Sequence, residues 1–137
     1  MINTYLPRTL PEEFFDFAPQ FRKPIAIAES GYTSRTIWMG ILPLVGSEEY
    51  QLHFLEVLFR AAVRDKYVFI INFSSTDYER LVKKLPGDMG AYAKMWEYTG
   101  LQRSDATAKP ALLLWERFLA LRHVNTATLT AIRTPHQ

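Results

Sequence analysis

The chain has 137 residues, 48% apolar and 14% aromatic, which is enough to bury one core and too little for several domains. Its 16 basic and 14 acidic residues leave a net charge of +2, so no electrostatic footprint points to nucleic acid or an anionic membrane. Cysteine is absent, which removes disulfides, thiolate metal sites and cysteine nucleophiles and leaves the redox compartment open.

The opening run MINTYLPRTLPEEFF carries neither the basic start nor the apolar stretch of a secretion signal. The longest apolar runs, Tyr67–Phe73 and Ala111–Trp115, fall far short of the ~20 residues that span a bilayer. The cellular location is therefore not specified. Leu10-Pro11-Glu12-Glu13 predicts a helix start, with proline and two acids where the helix dipole favours them. Phe14, Phe15, Phe17 and Phe21 give that helix an apolar face, and Pro19 shortens or kinks it. Ile25–Glu29 reads as the first strand.

Residues 30–46 read as a long connection with turns at Gly31, Gly40, Pro43 and Gly46. Ser47 followed by Glu48 and Glu49 predicts a capped helix over 47–64, with Leu52, Leu55, Leu58, Phe59, Ala62 and Val63 at helical spacing. Tyr67–Phe73, YVFIINF, reads as a strand buried on both faces, as in parallel sheets. Tyr78–Leu85 and Ala91–Tyr98 predict short helical pieces parted by Pro86-Gly87. Residues 102–108 form a polar loop, and Lys109-Pro110 opens a last helix carrying Leu113, Leu114, Trp115, Phe118, Leu119 and Leu121. Trp96 and Trp115 are expected in the core, and residues 123–137 as a loose tail.

Strands alternating with helices predict right-handed β-α-β units and a parallel sheet. Sites in such folds lie at the carboxyl ends of the strands. Two such ends occur, Glu29-Ser30-Gly31-Tyr32 and Asn72–Asp77, and parallel neighbours would place both on one rim. Carboxylates Glu29 and Asp77 with aromatics Tyr32, Trp38, Phe73 and Tyr78 suit a carbohydrate, whose C–H faces stack on rings while acids take hydroxyls. Each residue also has a plainer reading. Glu29 can be a solvated strand end, Asp77 a cap or turn acid, and Tyr32 and Trp38 packing under a loop; Tyr5 belongs either to the rim or to the core. His53, His123 and His136 show no metal-ligand spacing, and no cofactor motif is present.

Lys23–Tyr32, KPIAIAESGY, resembles the seventh-strand motif KPIAISETGYP of TIM-barrel glycosidases, closest to the arabinogalactan endo-β-1,4-galactanases of glycoside hydrolase family 53. Three further runs agree in order: Asn3–Pro7 with the end of the sixth strand, Gly46–Gln51 with the start of the seventh helix, and Thr99-Gly100-Leu101 with Lys109-Pro110-Ala111 and Trp115 around the last helix. The resemblance implies that residues 1–122 form the C-terminal portion of a (β/α)8 barrel, from the end of strand six through helix eight. A whole barrel takes ~250 residues. It further implies retaining hydrolysis of β-linked, galactan-like glycans with Glu29 as nucleophile; Tyr32, Trp38, Phe73 and Asp77 from the strand-end reading, with Tyr5, are the candidate substrate-binding residues, and the family pattern gives Asp77 no catalytic role. Retention needs two carboxyl groups ~5–5.5 Å apart. The family's acid/base comes from the fourth strand, which has no counterpart here, and Asp77 follows the eighth. Phe73-Ser74 stands where the family often has tryptophan, and Ser30 where it more often has threonine. The implied partners are a carbohydrate and either a missing N-terminal half or a second copy. The contrasting reading is a stand-alone, non-catalytic α/β domain or carbohydrate-binding module.

Overall fold

The computed structural model describes residues 10–121. Tyr5, the Asn3–Pro7 run and the 123–137 tail lie outside the described residues. Four strands and four helices occur in the order β1 (Ile27–Ser30), β2 (Ile37–Met39), β3 (Leu42–Leu44), α1 (Glu48–Asp65), β4 (Ile70–Asn72), α2 (Glu79–Val82), α3 (Gly87–Ala93) and α4 (Pro110–Leu119). β1 and β4 pair in parallel through the α1 crossover, as the alternation of patterns predicts.

α1 begins where its cap does. The Ser47 side chain accepts the Tyr50 N–H at 3.1 Å, and Glu48 and Glu49 fill the first turn. Its buried face carries Phe54, Leu55, Val57, Leu58, Phe59 and Ala61. Full burial of such side chains stabilises by about 1.5–3 kcal/mol each. Phe54 joins three segments: its ring lies 6.2 Å from Phe15 and stacks on Tyr32 at 5.8 Å. α4 packs on α1 through Phe118, stacked on Phe59 at 4.0 Å and 7°, and through Trp115 at 5.2 Å from Phe59.

Four expectations need correction. The first helix is two 3-10 turns, Glu12–Phe15 and Ala18–Phe21, because Pro19 cannot donate the hydrogen bond that would join them. The 30–46 connection contains an antiparallel hairpin, β2–β3, whose two-residue loop starts at Gly40 with φ +64°. Only Ile70–Asn72 of the 67–73 run is strand, and it is not covered on both faces: Val68 is 64% and Ile71 51% exposed. Ile27 and Ile70 pack on the core, but the described residues supply only two parallel strands and nothing lies on the other side. Trp96 is half-buried and apart from the core cluster, whereas Trp115, also half-buried, packs against it as expected.

Candidate functional site at the strand ends

The parallel register brings the two predicted strand ends together. Phe73 N–H donates to the Ser30 carbonyl at 2.6 Å, and the Ser30 hydroxyl donates to the Ile71 carbonyl at 3.0 Å. Gly31 is required there, because a Cβ at that position would run into the Phe73 carbonyl oxygen. Ile27 pairs with Ile70 and Ser30 with Asn72, so three steps along β1 answer two along β4. The extra residue falls across Ala28-Glu29. A bulge of this kind re-aims a side chain at the end of a strand. Glu29 is half-buried there and, among the described residues, its side chain forms no hydrogen bond or ion pair.

Phe73 follows β4 on the same rim. Its ring meets Tyr78 edge-on at 5.6 Å and Trp96 at 6.4 Å. Tyr32 lies beneath the rim, buried, with its hydroxyl donating to the Val45 carbonyl at 3.1 Å; burial raises its pKa above the usual phenol value. Its packing on Phe54 makes it a floor residue for the Glu29 segment. Trp38 stands on the β2–β3 hairpin, 64% exposed, beside exposed Met39, Ile41 and Leu42. The structure therefore sets the backbone ends that carry Glu29 and Phe73 side by side, buries Tyr32 against Phe54, and carries Trp38 on the β2–β3 hairpin.

Asp77 points elsewhere. Its Oδ1 accepts from Lys109 Nζ at 2.6 Å and from the Gly100 N–H at 3.0 Å, and both side chains are buried. Lys109 Nζ also donates to Ser34 Oγ and to the Gly100 carbonyl, each at 2.7 Å. Burial pushes the Asp77 carboxyl up and the Lys109 ammonium down, and each partner draws the other back toward its charged form. The pair thus ties the loop after β1 (Ser34) to the loop after β4 (Asp77) and to the turn before α4. Gln51 of α1 adds to this lock, its Nε2 lying within 3.0–3.2 Å of the Tyr32, Thr99 and Gly100 carbonyls. Gly100 fits only without a side chain, because a Cβ would overlap the Thr76–Asp77 backbone.

Sequence reasoning missed Lys109 and Gln51 as positioning residues, and no local pattern marks either. Tyr92 was also missed; it is exposed and meets Trp96 edge-on at 5.1 Å. Among the described residues no group of three His, Asp or Glu could hold a metal ion, and no helix is long and apolar enough to cross a membrane.

The chain is a small α/β fold with a parallel strand pair, similar in fold to a portion of solved glycosidase structures. The solved structures it resembles include the β-glucuronidase of Ruminococcus gnavus, with a TM-score of 0.55 and 21% identity over 83% of this chain and 20% of that one. Faecalibacterium prausnitzii β-glucuronidase matches at TM-score 0.52 and 21% identity, over 78% of this chain and 17% of that one. The β-D-glucuronidase of Dictyoglomus thermophilum matches at 0.51 and 20%, over 80% and 18%. The chain thus spans about a fifth of the length of the enzymes it matches. No protein-family model matches the sequence, and no curated protein matches it. The likeness is one of fold and does not specifically support a galactanase.

Proposed function

We propose that the chain carries the nucleophile-bearing part of a retaining β-glycosidase, with Glu29 as the nucleophile and the acid/base supplied by strands outside these 137 residues. The observation that carries this reading is the bulged end of β1, which holds a half-buried Glu29 beside the end of a parallel neighbour. The aromatic Phe73 on that rim, the KPIAIAESGY motif and the likeness to β-glucuronidases support it. Galactanases and β-glucuronidases share a β-linked sugar, so the substrate class is a β-glycoside; the motif favours a galactan-like one. Tyr32 acts from below the site, Trp38 from its arm, and Asp77 by holding the rim. The exposed apolar side chains of Val68 and Ile71 are surface that further elements would cover, which favours a part of a larger unit over a stand-alone binding module.

The chemistry follows from one carboxylate without its partner. Attack of a Glu29 carboxylate oxygen on the anomeric carbon forms a glycosyl ester and expels the leaving group. An alkoxide leaves only when an acid protonates it, whereas dinitrophenolate leaves unaided. Hydrolysis of the ester then needs a general base, which azide, itself a nucleophile, does not. Incubating the purified chain with dinitrophenyl β-galactoside or β-glucuronide should release one equivalent of dinitrophenolate slowly and then stall. Azide should restart release, and Glu29→Gln should remove the first equivalent. Steady hydrolysis of methyl β-glycosides would mean that a second carboxylate already acts in this chain, and a burst that survives Glu29→Gln would exclude Glu29 as the nucleophile.

A further inference from the structure

We infer that Tyr92 and Trp96 form a sugar-stacking subsite, set back from Glu29, that receives a distal unit of a β-linked oligosaccharide. The inference takes its substrate class from the glycosidase reading above. The rings Phe73, Trp96 and Tyr92 form a connected run, with centroids 6.4 Å and then 5.1 Å apart, starting beside the end of β1. Each step is about the size of a pyranose unit. The run ends in the open: Tyr92 is 67% exposed, on a face that no described element covers. Packing explains a half-buried Trp96 held between two edges, but it does not explain the outermost ring.

The backbone holds this platform to the rim from both sides. Tyr78 N–H donates to the Glu97 carbonyl at 2.9 Å, tying the turn that carries Trp96 to the loop after β4. Ser34 N–H donates to the Tyr98 carbonyl at 2.9 Å, tying the same turn to the loop after β1. Trp96 is therefore fixed relative to both strand ends before any ligand arrives, which reduces the ordering cost of binding. Successive rings are turned by 76° and 64°, so the run is a bent wall rather than a flat floor.

The test is calorimetric titration of the 137-residue chain with β-1,4-galactotetraose and with methyl β-galactoside. The tetrasaccharide should bind more tightly than the monosaccharide. Tyr92→Ala should weaken the tetrasaccharide by roughly three- to tenfold, leave the monosaccharide unchanged, and be rescued by Tyr92→Phe, which keeps the ring. Because Tyr92 is exposed, its removal should leave the thermal unfolding midpoint where it was. Equal affinity for both sugars, or a tetrasaccharide affinity indifferent to Tyr92→Ala, overturns the inference. Tyr92-dependent binding in a chain whose Glu29 takes no glycosyl group would uphold the subsite and defeat the glycosidase reading; glycosylation of Glu29 without that binding would do the reverse.

Discussion

Lys109→Met should lower the stability of the fold by about 3–5 kcal/mol, seen as a drop in the urea midpoint with an unchanged slope. Lys109 is 1% exposed and its ammonium meets Asp77, Ser34 and the Gly100 carbonyl within 2.7 Å. Methionine fills a similar volume but leaves the Asp77 carboxylate buried with only the Gly100 N–H. The effect is a large share of the ~5–15 kcal/mol that small domains possess. Removing both charges, as Lys109→Met with Asp77→Leu, should recover part of the loss but not all. The double variant no longer leaves a lone buried charge, yet the Gly100 amide, Gly100 carbonyl and Ser34 hydroxyl lose the partners that the pair provides. A loss below about 1 kcal/mol in the single variant would mean that the three rim loops are held by something else.

Phe54→Ala should cost a comparable ~3–5 kcal/mol, through the cavity it leaves. Phe54 is 1% exposed and touches both the Phe15 turn and the Tyr32 ring. Its loss frees the Tyr32 segment as well as the N-terminal turns, so amide exchange should quicken at Ser34, whose N–H donates to the Tyr98 carbonyl, before the rest of the chain opens. Leu113→Ala on the exposed side of α4 is the control, with an expected change within about 0.5 kcal/mol. Equal effects at the two positions would contradict the placement of the core between α1, Tyr32 and the first turns.

What the sequence revealed of this fold was mostly local and periodic. Ser47-Glu48-Glu49 marks the start of α1 because the cap and the dipole act within one turn, and Pro110 marks the start of α4 because its fixed φ suits the first helical position. The hairpin escaped notice because its strands are three residues each and one holds Pro43, so no alternation long enough to read is present. The run YVFIINF reads as doubly buried because its composition suits a barrel interior, while the described residues supply a cover on one face only. Glu29 stands out in the sequence because a motif surrounds it; the register shift beside it does not, since register depends on the partner strand. Lys109 looks like a solvated residue at a helix start, and its partner Asp77 lies 32 positions earlier in the chain. A buried ion pair of that separation is a property of the folded rim and leaves no spacing to detect.

Catching the covalent bond would show whether Glu29 is a glycosidase nucleophile. The purified chain is incubated with dinitrophenyl 2-deoxy-2-fluoro-β-galactoside, whose fluorine slows breakdown of the ester, then digested and sequenced by mass spectrometry. One fluoroglycosyl group per chain is expected, on the Glu29 side chain within KPIAIAESGY, and none on the Glu29→Gln variant. A glycosyl group on another carboxylate, or a folded chain that takes none, would contradict it.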